Sequence, residues 1–492
     1  MKRHSKIAVV GSGFCGIILA RVLMRCGFQV TLIDASRHPR FAIGESSTPI
    51  ADKLLRLIGQ RYRLDDLVAM SSYGRWRDAM PADACGKKRG FSYFDHRSPK
   101  RATRETHRGE NSLLVAASPT DEASDTHWYR HDVDAMLFQR AQEEGAETIE
   151  NARVIELKRL ADNRWRLLLS NDCVVDADGV LDASGGGVTA KLLGGIELTG
   201  RLKTHTAAAF SHYRGVRSVS NQFDQTHRDN RGRDPFDADD AAQHHLIDNG
   251  WVWMLRFENG ITSVGVTQRI HRSAEDAGLG CQRILESRFE EYPELAEVMR
   301  EASFASLPGS IRRVDRIQRF YDPLVAENCV MLPTAAFNLD PLHSTGIAHA
   351  LSGVIRLATW LENGGQPKGL ERYRDAVIAE ARHLDRLVSM AYRSMHSFEA
   401  FTAACMVYFA AAIECEESLM ASEVPDRFWM AGNTRFCEVV RSSEEVLGAC
   451  ERGEVSAREC TQRIRDWIAP WNHAGLFESA ENRYAYTATK VS

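Results

Sequence analysis

The chain has 492 residues, 44% of them hydrophobic and 26% charged, with a net charge of −4. That length exceeds one ordinary core and calls for two or three structural units. So small a net charge excludes an electrostatic case for nucleic acid or an anionic membrane surface, and no apolar run reaches the length of a bilayer span.

The N-terminus, "MKRHSKIAVVGSG", turns at a glycine too early for the apolar region of a signal peptide. Ile7 to Val10 read as a buried strand, Ile17 to Cys26 as a helix stopped at Gly27, and Val30 to Ile33 as a second strand. Further on come a helix over Asp132 to Glu144 and strands around Val154 to Leu157 and Trp165 to Leu169. Residues 215 to 248 are polar and read as a long loop or mobile lid. "WVWMLRFENGITSVGVT" reads as a hairpin turning through Asn259-Gly260. From about 366 the pattern is mostly helical, and "MHSFEAFTAACMVYFAAAIECEESLM" is apolar nearly all round, as in a buried helix or a homodimer surface. The 11 cysteines are scattered and lack a C-x-x-C pair, which reads as reduced thiols of a cytoplasmic protein; Cys15 and Cys329 read as packing.

Gly11-x-Gly13-x-x-Gly16 follows a strand and opens a helix, and Asp34 closes the next strand 18 residues after Gly16. Gly11 makes the turn, Gly13 admits a pyrophosphate against the backbone, and Gly16 lets helix and strand pack closely. The pyrophosphate then sits at the helix N-terminus and Asp34 takes the ribose hydroxyls. A dinucleotide site is expected, and the separated segments "HPRFAIGESSTP" and "DADGVLDASGGG" favour FAD over NAD.

Four stretches together resemble the flavin-dependent halogenases across residues 5 to 365: the glycine fingerprint; Gly44-Glu45-Ser46-Ser47-Thr48-Pro49; Trp251-x-Trp253; and "DPLHSTGIAHAL", Asp340 to Leu351. In the last stretch Asp340-Pro341 breaks the chain, Ser344 is placed to cap, and Gly346 to Leu361 read as a helix. The N–H groups of Thr345 and Gly346 are therefore free donors at a positive helix end. The resemblance implies chloride or bromide there, and FAD on residues 44 to 49. Arg130 and Asp340 complete the expected cofactor-binding set, and no metal is expected; His244-His245 lacks ligand spacing.

Lys88-Arg89-Gly90 is similar to the stretch that carries the family's substrate-side lysine in phenol-type members. Lys88 is the expected catalytic residue, with Lys87 as its alternative and a solvated "KKR" turn as the plain reading. The resemblance also implies that Trp251 and Trp253 wall the substrate off from the flavin C4a-hydroperoxide while halide reaches it. Along a strand, residues 251, 253, 255 and 257 share one face, so Arg256, which stands where the family has Pro, lies on the other. His343 occupies the place of a Glu in tryptophan halogenases; it reads equally as a general base or as a packed histidine. That change favours an already activated ring, phenol- or pyrrole-like. Pro333-Thr334 and Asn338 also depart from the family pattern.

The expectation is an α/β protein: a doubly wound FAD-binding domain of the glutathione-reductase-like Rossmann variant (1–85, 105–200 and 310–365), a mixed or antiparallel sheet on the substrate side (86–104 and 201–309), and a helical C-terminal region (366–492). The implied activity, of the kind used in natural product biosynthesis, is halogenation by hypohalous acid passed to Lys88. A separate reductase supplies FADH2, and the aromatic substrate is free or carrier-bound. An aromatic hydroxylase, and a flavoprotein fold kept as a silent binding subunit, are the alternatives.

Overall fold

In the computed structural model, which describes residues 5–81, 84–97, 111–220, 234–478 and 483–485, the strand Lys6–Val10 lies inside a six-stranded sheet. Its neighbours are Gln29–Ile33 and Gly179–Asp182, both parallel. Glu147–Ile149 extends one side and Cys329–Met331 the other, again parallel, and Val325–Ala326 closes an edge antiparallel. The sheet thus gathers five separated stretches of chain, as its near-continuous apolar strands require when both faces are covered. One face carries the fingerprint helix Phe14–Arg25. An antiparallel sheet of Val154–Arg159, Trp165–Leu169 and Val174–Ala177 packs in a separate small core with Val10, Ile33 and Val180.

Among the described residues the second large sheet has nine strands. Thr206–Arg214, Ile261–Arg269, Gly250–Arg256 and Ala241–Ile247 run antiparallel in that spatial order, and Gly90–Asp95 joins the last of them in parallel. The hairpin turns through Gly260, whose φ is +74°. Two strands come from spans expected in the FAD-binding part: Ser112–Ala116 pairs with Gly90–Asp95, and Arg312–Val314 with Thr206–Arg214. Both supply partners to backbone groups that would otherwise form bare sheet edges.

The polar stretch 215–248 is not a loop throughout. Ala241–Ile247 is a fully buried strand, although its sequence is AAQHHLI. Its polar side chains are satisfied inside: Gln243 donates to Asp239 (2.9 Å), His244 meets the Ser92 carbonyl (3.3 Å) and His245 meets His96 (3.0 Å). Residues 221–233, the centre of the expected lid, lie outside the described residues.

Helices Pro367–Arg393, Phe398–Met420, Thr434–Glu451 and Ala457–Ile468 form the C-terminal region. Phe398–Met420 is long and apolar enough to cross a membrane by length and composition, but 89% of its most apolar window is buried in this molecule. It is a core helix, with Ser397 capping its start through Ala400 N–H (3.4 Å), and its apolar girth needs no second copy to cover it. None of the 11 cysteines is in a disulfide.

Candidate active site

The two sheets enclose a cavity of about 520 Å³. Its walls include Gly11, Gly13 and Gly16, Asp34, Gly44 to Ser46, Arg130, Trp251, Trp253 and the run Ser344 to Ile347. A Cβ on Gly16 would collide with the Gly11 carbonyl, so the helix can approach the strand this closely only with glycine. Gly13 is open toward the cavity, where the nearest groups to its missing Cβ are the guanidinium ends of Arg40 (3.7 Å) and Arg130 (3.9 Å).

These residues fit FAD. Two cations meet a helix N-terminus where a pyrophosphate would lie. Asp34 accepts from Ser12 N–H (2.7 Å) and hydroxyl (2.8 Å) and from Ser36 N–H (2.8 Å). A carboxylate has about four acceptor positions, so one remains for a ribose hydroxyl. Arg40, 3.5 Å from Asp34, was missed because nothing in "HPRFAIG" marks it. Arg130 is locked by two bonds to Asp134 (2.6 and 2.8 Å) and donates to the carbonyls of Ile43 (3.1 Å) and Gly44 (2.9 Å). It therefore holds the loop as well as lining the cavity.

The Gly44–Pro49 loop divides its work. Gly44, Glu45 and Ser46 line the cavity, and Glu45 is bonded to His212 (2.8 Å). Ser47, Thr48 and Pro49, expected beside the cofactor, lie off the cavity wall. Thr48 caps the helix Pro49–Tyr62 and Pro49 starts it, while Ser47 bonds Asp52 through its hydroxyl and accepts from Lys88 through its carbonyl.

At the opposite end Asp340 accepts from Thr206 (2.6 Å), Tyr392 (3.0 Å) and Leu342 N–H (3.1 Å), and burial pushes its carboxyl up to about 6. Ser344 does not cap the following helix. Its N–H closes a turn on Pro341 (2.9 Å) with φ at +53°, and Thr345 takes the cap position without a side-chain bond. Among the described residues nothing accepts from the N–H groups of Thr345 and Gly346, and both residues line the cavity.

Trp251 and Trp253 stand side by side in the cavity wall, ring centroids 6.0 Å apart. Trp253 lies over Gly265, directly across the ladder, and donates to Ser263 (3.2 Å). Arg256 is on the other face, bonded to Asp239 (2.8 Å). Behind Trp251 an aromatic layer continues: His244 stacks on Trp251 (4.9 Å) and on Tyr93 (4.6 Å), and Tyr93 stacks with Phe91 (6.4 Å). His244, passed over in the sequence as half of a histidine pair, also lines the cavity.

Lys88 lies beyond this layer, with no exposed surface. It is in the strand Cys85–Lys88, directly opposite Asp125. Its Nζ is 4.2 Å from the Phe91 ring centroid and 3.9 Å from Asp125. Burial lowers its pKa to about 8, against the opposing pull of Asp125, Asp52 and Glu416. Asp125 is pushed up to about 6 by burial, and Asp52, buried beside it, well above its ordinary value. Lys87, by contrast, is the outward lysine, paired with Asp121 (2.7 Å) and Asp240 (2.8 Å).

His343 is fully buried off the cavity wall, stacked flat on Tyr408 (4.1 Å). Neither ring nitrogen has a partner among the described residues, and burial drops its pKa to about 3. It is a neutral imidazole and a poor proton acceptor at neutral pH.

A sheet of parallel strands with a glycine turn, two cations and an acid at its ends suits a flavin nucleotide. The chain belongs to the FAD dependent oxidoreductase family, whose model matches residues 6–329. It is 25% identical to a tetracycline 7-halogenase of Kitasatospora aureofaciens, over 95% of this chain and 88% of that one. It is also 25% identical to the monodechloroaminopyrrolnitrin halogenase PrnC of Pseudomonas fluorescens, over 81% and 70%. Its fold matches the crystal structure of halogenase PltM in complex with phloroglucinol and FAD, with a TM-score of 0.81 at 22% identity over 96% and 97% of the chains. The relatives are halogenases, in line with the resemblance read from the sequence.

Proposed function

We propose that this enzyme is a flavin-dependent halogenase that places chlorine or bromine on an electron-rich aromatic ring, phenol- or pyrrole-like. One observation carries the reading: the paired tryptophans form a wall of the same cavity that holds the glycine fingerprint and the free N–H groups of Thr345 and Gly346. Reduced FAD with oxygen, when bound, supplies the oxidising equivalent to halide; a separate reductase delivers the reduced form.

The chain's own residues then have distinct tasks. Arg40, Arg130 and the start of helix Phe14–Arg25 hold the pyrophosphate, and Asp34 the ribose. Thr345 and Gly346 donate to the halide at a positive helix end. Trp251 and Trp253 exclude an organic ring while admitting a small oxyacid. Lys88, charged below about pH 8, donates a hydrogen bond to the oxygen of hypohalous acid. The ring carbon takes the halogen, and the oxygen takes a proton from the Lys88 ammonium and leaves as water. The ring proton passes to Asp125, whose raised pKa suits it to accept and release a proton near neutrality better than His343.

A product-mass assay tests this. Protein, FAD, a flavin reductase with NADH, oxygen and bromide are offered a panel of phenols and pyrroles, with Lys88→Ala alongside. Bromine for hydrogen, lost in the variant, is the expected result. Gain of oxygen without bromine makes the enzyme a hydroxylase and reduces the tryptophans to core.

A further inference from the structure

The two tryptophans of the wall are anchored differently. Trp253 donates within its own sheet, to Ser263. Trp251 donates its indole N–H to the phenol oxygen of Tyr392 at 2.8 Å, across 141 residues of chain. Tyr392 belongs to the helix Pro367–Arg393, in the C-terminal region, none of whose described residues is in the cavity wall.

The same oxygen is 2.9 Å from the hydroxyl of Thr267, which faces Trp251 across the ladder, and 3.0 Å from Asp340 Oδ2. A phenol has one hydrogen to give and two lone pairs to offer. The directions follow: Tyr392 donates to Asp340 and accepts from Trp251 and Thr267. Its hydrogen-bonding capacity is filled, and all four residues are buried. Asp340 in turn takes Thr206 and caps the turn Pro341–His343 through Leu342 N–H, the turn that leads into Thr345 and Gly346. One buried oxygen thus joins the tryptophan wall to the segment carrying the free N–H groups.

Resting on the halogenase reading, we propose that Tyr392 is a positioning residue, which holds the Trp251 ring across the passage and couples it to the Asp340–Gly346 segment. A buried indole N–H needs an acceptor, and without one the ring is free to seek another orientation. Loss of the phenol oxygen then opens the barrier. Reduced flavin and oxygen end as oxidised flavin and hydrogen peroxide, and no halogen is transferred.

Two measurements test it, the first independent of turnover. Indole nitrogen–proton spectra of the wild-type protein, with the Trp251 signal identified by its loss in Trp251→Phe, should show that proton hydrogen-bonded and slow to exchange. In Tyr392→Phe it should shift and exchange faster. A fast-exchanging indole proton in wild type, or an unchanged one in the variant, overturns the proposal. In the second, Tyr392→Phe should bind FAD as wild type does, while its ratio of brominated product to peroxide falls about tenfold, the loss of one buried hydrogen bond. The double variant with Trp251→Phe should fall no further than Trp251→Phe alone. An additive double variant, or equal losses in FAD affinity and turnover, makes Tyr392 merely structural. If wild type brominates nothing while the spectra behave as expected, the halogenase reading has failed and the coupling stands.

Discussion

Lys88 Nζ lies 3.9 Å from Asp125 Oδ2, and neither residue reaches solvent. The two face each other across a two-stranded ribbon, Cys85–Lys88 with Asp125–Trp128, so the pairing is set by strand register. Burial disfavours the charge on both, and each is the other's main compensation.

The lysine titrates near pH 8 and acts, in the proposed chemistry, as an ammonium. Halogenation should therefore fall as pH rises through about 8. Initial rates with chemically reduced flavin, which removes the reductase's own pH dependence, check this. A rate that rises through the same window assigns the work to the neutral amine. Lys88→Met should lose about a hundredfold or more of halogenation and still oxidise flavin.

The same shift has a consequence for stability. The unfolded chain keeps the Lys88 proton to about 10.5 and the folded one only to about 8, so between these values the unfolded state binds more protons and stability rises with pH. Below pH 8 the charged lysine is a standing cost. Lys88→Met alone strands the Asp125 carboxylate and should cost about 3 kcal/mol at pH 7, read by urea denaturation, while Lys88→Met with Asp125→Leu should recover that stability, even as both remove activity.

Arg130 and Asp134 form a second buried pair, joined by two bonds. Arg130→Met leaves the carboxylate without its cation and should cost about 3 kcal/mol. Adding Asp134→Leu should recover most of that stability. FAD affinity, measured by fluorescence titration, should stay low in both, because the cation at the fingerprint and the donor to Ile43 and Gly44 are gone.

Gly265 supports the other half of the wall. A Cβ there enters the six-membered ring of Trp253, so Gly265→Ala must turn the indole. Overpacking should cost about 2 kcal/mol, and peroxide should rise at the expense of halogenated product. A variant with an unchanged product ratio would show that Trp253 has no part in the barrier.

By itself the sequence determined those parts whose chemistry is local. The glycine spacing, the acid after the second strand and the Asn259-Gly260 turn each follow from backbone conformation within a few residues, and the alternation of Trp251, Trp253 and Leu255 onto one face follows from strand geometry. The tertiary structure decided what adjacency cannot. "KKR" looks like a solvated turn, and only the pairing with Asp125–Trp128 turns Lys88 inward and leaves Lys87 outside. AAQHHLI reads as polar, and only partners contributed by distant strands and turns make it a core strand. Ser344 looked like a cap until the turn on Pro341 took its backbone left-handed. Asp52, Asp125, His244 and Tyr392 carry no motif, because a buried hydrogen bond or charge pair depends on distance in space, and nothing in the chain records that Tyr392 meets Trp251.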